Sequence, residues 1–346
     1  MSTLAGISCV VTGFSGHEGE ILKLRNSNRE NPETLDYLRW RYEPAAGAPA
    51  PCVYWLKAAD GQVIGMAAAV FRPYTVDSRA TYVAVIGDIS LDNRYRRMGL
   101  GQQLLRAMTE HLDQRDPGAY GLVIPTDSAR RSLDKVGWVT GGALGSLVYL
   151  LDAEAHVRRL LHFRPLSVLA ARGLRACMQL LARRHTRPGG VLRLNPAPDA
   201  HTYAFLESLP HGSGVQRRFP PGSLEWRYVR HPHSRFTFAT YNRDGAVRGL
   251  LVFEDTSLEG TCSVYDLFAA EPADLRAMLA QFILRSAAVP GIATIRVALD
   301  EAHPARESLR RLGFIARPAE AVFQVHSRDG NAQRARWRIT QGDKDT

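Results

Sequence analysis

Cysteine is scarce in this 346-residue chain. The four present, Cys9, Cys52, Cys177 and Cys262, lie far apart, with neither CxxC spacing nor histidine clusters beside them. Nothing in that spacing indicates a zinc site or a disulfide scaffold, so no metal is expected and a reducing cytoplasm suits the chain. Long hydrophobic runs are missing as well: none approaches the ~20 residues of a membrane span. The N-terminus, MSTLAGISCVV, has neither the basic flank nor the small-residue cleavage pattern of an export signal, and it reads as a first strand. Acidic residues are outnumbered, 34 against 44 Lys and Arg, giving a formal net charge of +10. The arginines are spread along the whole chain, which favours anionic ligands in general over a nucleic-acid groove. What remains is ordinary for folded protein, 45% hydrophobic and 23% charged, at a length that accommodates two domains.

The most informative stretch is Arg96-Arg97-Met98-Gly99-Leu100-Gly101. Upstream, Thr81 to Asp92 is rich in β-branched and aromatic residues, as strands are. Downstream, Leu100, Leu104, Leu105, Met108 and Leu112 recur at helical spacing and mark one apolar face. Two glycines at a helix entrance let a ligand approach the backbone with no Cβ in the way, and the first-turn amides then point at an anion. Arg94, Arg96 and Arg97 add positive charge.

These residues resemble the acetyl-CoA loop of the GNAT acyltransferase superfamily, in which Arg or Gln is followed at fixed spacing by Gly and then Gly or Ala. Arg96, Gly99 and Gly101 match it, with Ile89, Leu91 and Tyr95-Arg96 in the preceding strand positions. A second landmark, a helix ending in Gly-aromatic, is resembled by Ala129 to Trp138 after Gly121-Leu122-Val123-Ile124-Pro125. The resemblance covers residues 1 to about 150. It implies an α/β (α+β mixed-sheet) fold and acetyl-CoA as cosubstrate in an opening between strands Tyr82–Leu91 and Leu122–Pro125. It further implies donor contacts from Ile89, Ser90, Leu91, Arg96, Arg97, Met98, Gly99, Leu100, Gly101, Gln102, Thr126 and Arg130. Thr126 stands where relatives often have asparagine, and its hydroxyl can cap the helix.

The chain also repeats itself. Trp40-Arg41-Tyr42 returns as Trp226-Arg227-Tyr228, each followed by a hairpin with an Asp-Gly turn, Asp60-Gly61 and Asp244-Gly245. Ala129-Arg130-Arg131-Ser132-Leu133 returns as Ala305-Arg306-Glu307-Ser308-Leu309, and Gly137-Trp138 as Gly313-Phe314. The second copy is shorter between its Asp266-Leu267 and Leu275 than the first between Asp88-Ile89 and Leu105. The missing piece is the glycine loop, replaced by Ala269 to Asp274. Two tandem GNAT-like domains follow, each a mixed central sheet flanked by helices: 1–152 catalytic, 153–190 a basic helical connector, 191–326 a degenerate copy, and 327–346 a polar, poorly ordered tail. The connector is read as packing its apolar face on both domains, with peripheral contact to an anionic membrane as the alternative.

The chemistry expected is transfer of an acetyl group to an amine by direct attack in a ternary complex. Asp88 is the nearest match to the family's strand carboxylate base, although its counterpart Asp266 persists where the loop is lost, which supports a bracing role. Glu20, Glu33, Glu43 and His17 are weaker candidates. Relatives carry a tyrosine acid where this chain has Leu133, leaving Ser132 or a water to assist. Arg130 could reach a CoA phosphate, or brace the fold as its repeat Arg306 suggests. The acceptor stays open between an amino sugar or envelope precursor, another small amine and a protein lysine. The Trp-Arg-Tyr words suit sugar contact or core anchoring. A non-catalytic acyl-CoA-binding or scaffold protein is the alternative class, and the oligomeric state is not legible.

Overall fold

The computed structural model describes residues 6–344 other than 28, 117, 153–163, 211 and 257–259. The first half opens with β1 (Ser8–Thr12), helices α1 (Glu18–Asn26) and α2 (Leu35–Tyr42), and an antiparallel run of β2 (Cys52–Lys57), β3 (Val63–Val76) and β4 (Arg79–Leu91). Helix α3 (Leu100–Arg115) crosses over to β5 (Tyr120–Val123), parallel to β4, and α4 (Asp127–Asp134) leads to β6 (Val139–Leu150). The second half runs α5 (Arg164–Arg184), β7 (Val191–Asn195), α6 (Ala200–Ser208), β8 (Val215–Arg217), β9 (Phe236–Arg243), β10 (Ala246–Thr256) and β11 (Thr261–Ala269). It ends with α7 (Pro272–Ser286), β12 (Thr294–Asp300), α8 (Ala305–Arg311), β13 (Ile315–His326), α9 (Asn331–Arg334) and β14 (Trp337–Arg338).

All these strands join one sheet, ordered β1-β2-β3-β4-β5-β13-β6-β12-β11-β10-β9-β7, with β8 and β14 beside β3. Its middle is an exchange. Strand β13, from the second half, inserts between β5 and β6 of the first, antiparallel to both, with Val325 opposite Leu122 and Phe323 opposite Gly142. Strand β6 in turn pairs with β12, Leu147 opposite Val297. Phe323 and Val325 are buried among Val53, Val85 and Leu122, while Leu147 and Tyr149 are buried among Val264, Ile295 and Leu279. A Cβ at Gly141 or Gly142 would collide with the Phe323 ring, at 2.6 and 2.7 Å, so the paired glycines of β6 admit the incoming strand.

Period-two alternation along β4 splits the first half's core between two faces. Ala84 and Ile86 pack on Leu100, Leu104, Leu105, Met108 and Leu112 of α3, whereas Val83 and Val85 pack with Ile21, Leu24, Leu38 and Tyr42 of α1 and α2.

The repeated Trp-Arg-Tyr words meet each other. Trp40 and Trp226 stack at 5.3 Å between ring centroids, 15° from parallel. Each indole donates to the other's backbone carbonyl, Trp40 Nε1 to Trp226 O at 2.6 Å and Trp226 Nε1 to Trp40 O at 2.9 Å. The Arg72 guanidinium covers Trp226, 4.1 Å from the ring centroid. With its faces taken by Trp40 and Arg72, Trp226 anchors the two halves together, and the sugar-contact reading of the word falls.

Two further expectations change. The stretch after β13 is folded: Trp337 is buried and donates through Nε1 to Ala332 O at 2.9 Å, β14 pairs with β8, and Asp343 accepts from Tyr74 Oη at 2.7 Å. A few well-placed apolar residues, Ala332, Trp337 and Ile339, suffice to fold a segment whose composition is polar. The separation at 152 also fails as a physical boundary, because each half completes the other's sheet. Of the connector, 153–163 lie outside the described residues. Helix α5 docks on the second half, with Ala182 buried, Tyr149 Oη donating to Met178 O at 2.9 Å and Arg175 Nη2 to Ala287 O at 2.6 Å. Among the described residues no helix is long and apolar enough to cross a membrane.

Residues 1–152 expressed alone should therefore fail to give a dispersed native spectrum, and the full chain should unfold in urea as one transition. Phe323→Ala, made in β13, should cost about 3–5 kcal/mol and loosen the first half; a fragment 1–152 that folds by itself would contradict the exchange.

Candidate active site

The site begins where two parallel strands part. The ladder between β4 and β5 runs from Val83 opposite Tyr120 to Ile86 opposite Val123 and stops there. On its other edge β4 keeps its pairing with β3, but the register slips between Ala68 opposite Gly87 and Met66 opposite Ser90. That slip is a β-bulge, and its special residue is Asp88, at φ +52. At Gly87, beside the bulge, a Cβ would collide with the Arg41 guanidinium. Beyond the bulge, Ile89, Ser90 and Leu91 present the edge that β5 has left, and this is where the sequence placed the donor.

Asp88 is enclosed by partners. Its side chain is 2% exposed and forms ion pairs with Arg25 Nη1 and, at 3.1 Å, Arg41 Nε. Tyr42 Oη donates to Asp88 Oδ2 at 2.9 Å. Burial, then the neighbouring Arg41 and Arg29 charges, pull the Arg25 guanidinium down to about 10, so it stays a cation at neutral pH. A carboxylate with both oxygens committed to guanidinium groups is a brace for the bulge, and Asp88 is not retained as general base. Arg25, Arg41 and Tyr42 were not singled out for this role. The repeated word carried the signal, since Tyr228 donates to Asp266 in the second copy as Tyr42 does to Asp88.

Past β4, Asp92 opens the loop. Arg94's guanidinium and amide hold the Asp92 carboxyl below the usual carboxylate range, at 2.8 Å (Nη2) and 2.9 Å (N). Arg96 Nε lies 3.4 Å from Leu91 O. Arg97 and Gly99 adopt left-handed backbone, φ +63 and +81, which aims the chain into α3. Gly99 caps that helix, whose first turn contains no acidic residue, and the Gln102 and Gln103 amides close on the Gly99 carbonyl at 3.1 and 3.2 Å. Leu100 is buried beneath the loop, while Met98 is exposed. The amides of Leu100 and Gly101 belong to the first helical turn, where no intrahelical acceptor exists. A Cβ at Gly101 would meet no atom within 4 Å. Glycine inside a helix is unfavourable by up to about 1 kcal/mol against alanine, and the fold itself does not ask for it here. Bare backbone there leaves room for an anion. The residues thus fit a pyrophosphate.

On the far side, Thr126 caps α4 by accepting from Ala129 N at 3.4 Å, and Arg130 lies 3.5 Å from Asp127 at the surface. Ser132 Oγ donates to Ser128 O within the helix at 3.4 Å, so its hydroxyl is not aimed at the cleft, and the acid role given to it is dropped. Leu133 is fully buried in the α3 core. Of the acceptor-side carboxylates, Glu33 pairs with Arg29 at 2.6 Å and Glu43 with Arg230 at 2.8 Å; His17 pairs with Glu20 at 3.3 Å.

The second copy keeps the parting of strands but not the clamp. Its β11 and β12 pair from Thr261 opposite Thr294 to Val264 opposite Val297. The space beyond is a cavity of about 510 Å³ bounded by Leu267, Phe268, Leu275 and His303. At the entrance of α7, however, the buried Asp274 carboxylate is held by Arg243 and by Arg248 Nε at 3.2 Å. At that entrance Glu271 lines the cavity and Pro272 carries no N–H, where copy one has bare amides.

Residues 20–137, from within α1 to Gly137, match the family model described as the acetyltransferase (GNAT) family. That segment is a GNAT acetyltransferase domain. Among solved structures the chain is similar to a conserved protein of unknown function from Enterococcus faecalis described as a probable N-acyltransferase. That likeness has TM-score 0.66 and 11% identity, over 93% of this chain and 72% of that one. It is also similar to a GCN5-related N-acetyltransferase from Kribbella flavida, with TM-score 0.60 and 17% identity, over 96% and 74%. A tandem GNAT protein from the clavulanic acid biosynthesis pathway matches with TM-score 0.52 and 13% identity, over 92% and 98%. At such identities these likenesses show the fold, here two GNAT units in tandem. No curated protein matches the chain by sequence.

Two outcomes test the site. Gly101→Val should fold with stability within about 1 kcal/mol of the parent yet lose acetyl-CoA affinity by calorimetry; undiminished affinity would mean the loop does not hold the donor. Asp88→Asn should cost about 3–5 kcal/mol in urea unfolding, because two buried guanidinium groups lose their counter-charge. Unchanged stability with turnover abolished would instead return Asp88 to the chemistry.

Proposed function

We propose that the chain transfers an acetyl group from acetyl-CoA directly to a small-molecule amine in a ternary complex. The observation that carries this is the pairing of an unobstructed glycine at the α3 entrance with the parted strands β4 and β5. The α3 amides and the Arg94, Arg96 and Arg97 charges hold the pyrophosphate, and the donor arm runs into the opening. Backbone N–H groups of the bulged edge beyond Gly87 polarise the thioester carbonyl as it becomes tetrahedral. The amine attacks from the opposite face, the C–N bond forms as the C–S bond breaks, CoA leaves as thiolate, and the proton shed by the new amide nitrogen passes to that thiolate or to water. The fold's contribution is positioning together with this fixed dipole field.

With Asp88 braced and Ser132 turned to Ser128, no side chain among these candidates takes the ammonium proton. The amine therefore enters the reactive complex already neutral, having lost its proton to water. Then kcat/KM should climb with pH along the acceptor amine's own ionisation and show no limb in the carboxylate range. A limb between about pH 4 and 6 would require a carboxylate base after all.

The donor stoichiometry should be one. Titration of the full chain with acetyl-CoA should give a single site, since the α7 entrance carries Glu271 and Pro272 in place of paired glycines, and thiol release should follow on adding an amine. Two sites would overturn the division of labour, and one site with no thiol release for any amine would favour the non-catalytic binding reading that the missing tyrosine invites.

A further inference from the structure

We propose that the second half of the chain binds a neutral small molecule, an apolar body carrying an amide or other carbonyl group, in the cavity where its own strands part. The acyl-transfer reading is not needed for this. Strands β11 and β12 pair only as far as Val264 opposite Val297, and the cavity of about 510 Å³ opens beyond. It belongs to this half's cleft, since Leu267, Phe268 and Ala269 of β11, Leu275 of α7 and Ser308 of α8 all line it. The C-terminal segment closes the inner end of the parting: Asp300 N donates to Ile339 O at 2.8 Å, and Thr340 Oγ1 donates to Asp266 at 2.6 Å. The space that remains lies within the size range of metabolite pockets.

The lining selects against ions. Leu206, Leu209, Leu267 and Leu275 join Phe219 and Phe268, whose rings meet edge to face at 5.1 Å, in a largely apolar wall. Its charges nearly cancel, with Arg217, Arg218 and Arg338 against Glu207, Asp266, Glu271 and Asp343. Several are already engaged: Arg217 pairs with Asp266 and Asp343, Arg338 Nη1 donates to Gln216 Oε1 at 2.8 Å, and Glu271 pairs with Arg248 at 3.2 Å. Unlike the donor loop, this site has no excess of one sign to offset the desolvation of an ion. Two features ask for an amide. His303, on the lining, accepts at Nδ1 from Ala305 N at 3.2 Å, and burial, then the charges of Arg338, Arg306 and Arg336, pull the imidazole down to about 4. The ring is therefore neutral at neutral pH with its proton on Nε2, and that N–H has no partner among the described residues. On β11, Ala270 N donates to Arg248 O at 3.0 Å, so by alternation Phe268 also bonds toward β10, while Leu267 and Ala269 turn their amides and carbonyls to the side that β12 has left. An amide can accept from His303 and pair with that edge, whereas a bare hydrocarbon can do neither.

Nile red fluorescence on the full chain, with CoA present to occupy the first cleft, reads the site. Three ligands sharing one body test its preference: 4-phenylbutanamide, 4-phenylbutanoate and 4-phenylbutylamine. The amide should displace the dye at a concentration at least about tenfold below that of the anion or the cation. Ser308→Leu puts a branched side chain into the cavity from a helix position that leucine suits. It should weaken amide binding at least about tenfold with the melting temperature of the parent retained. His303→Phe keeps a ring and removes the N–H, and should weaken the amide about fivefold. Equal displacement by all three ligands, undiminished amide binding in folded Ser308→Leu, or no saturable dye binding would overturn the proposal. Omitting CoA separates this test from the donor reading. The amide should bind equally well without it, and competition between amide and CoA would place the ligand in the first cleft and overturn the assignment.

Discussion

The structure turns on the left-handed backbone of one aspartate. A non-glycine residue at φ +52 costs about 1–3 kcal/mol and persists only when its surroundings hold it, and Asp88 is held by Arg25, Arg41 and Tyr42. The bulge it creates re-aims β4 just past the end of its ladder with β5, and the parting of those strands makes the cleft. Arg41 and Tyr42 come from α2, and the residue before them, Trp40, is locked to Trp226 of the other half. The shape of the donor cleft is thereby tied to how the halves dock.

This dependence accounts for what the duplication kept and lost. Both copies retain the tyrosine-to-aspartate contact, Tyr42 to Asp88 and Tyr228 to Asp266, because both need the strand irregularity. In the second copy burial raises the Asp266 carboxyl, with Arg217's charge opposing, so this too is a buried structural acid. The glycine loop is present in one copy only, and a Cβ at Gly99 or Gly101 would meet no atom of the fold within 4 Å. The α7 entrance of that copy carries Glu271 and Pro272 instead. Exchange of β6 and β13 makes the degenerate copy indispensable, for without it β5 would lose its neighbour.

Much of this was legible in residues alone. The loop, the hairpins and the repeat are local words, and local words survive reading in one dimension. The exchange was not, because alternation in Phe323-Gln324-Val325 says that one face is buried but not which strand lies alongside. The tail misled through composition: Trp337 and Ile339 fold it despite a polar average. Asp88 was legible in part: the persistence of Asp266 in the second copy pointed to a brace, while the partners that spend its charge, Arg25 and Arg41, come from helices remote in sequence.

The central claim is that one of two similar clefts holds the donor, on backbone amides. Amide hydrogen exchange on the full chain, with and without acetyl-CoA, tests this most directly. The account predicts new protection at residues 96–103 and 89–91 and none at 269–275. Protection at the α7 entrance, or none at the α3 entrance, would contradict it.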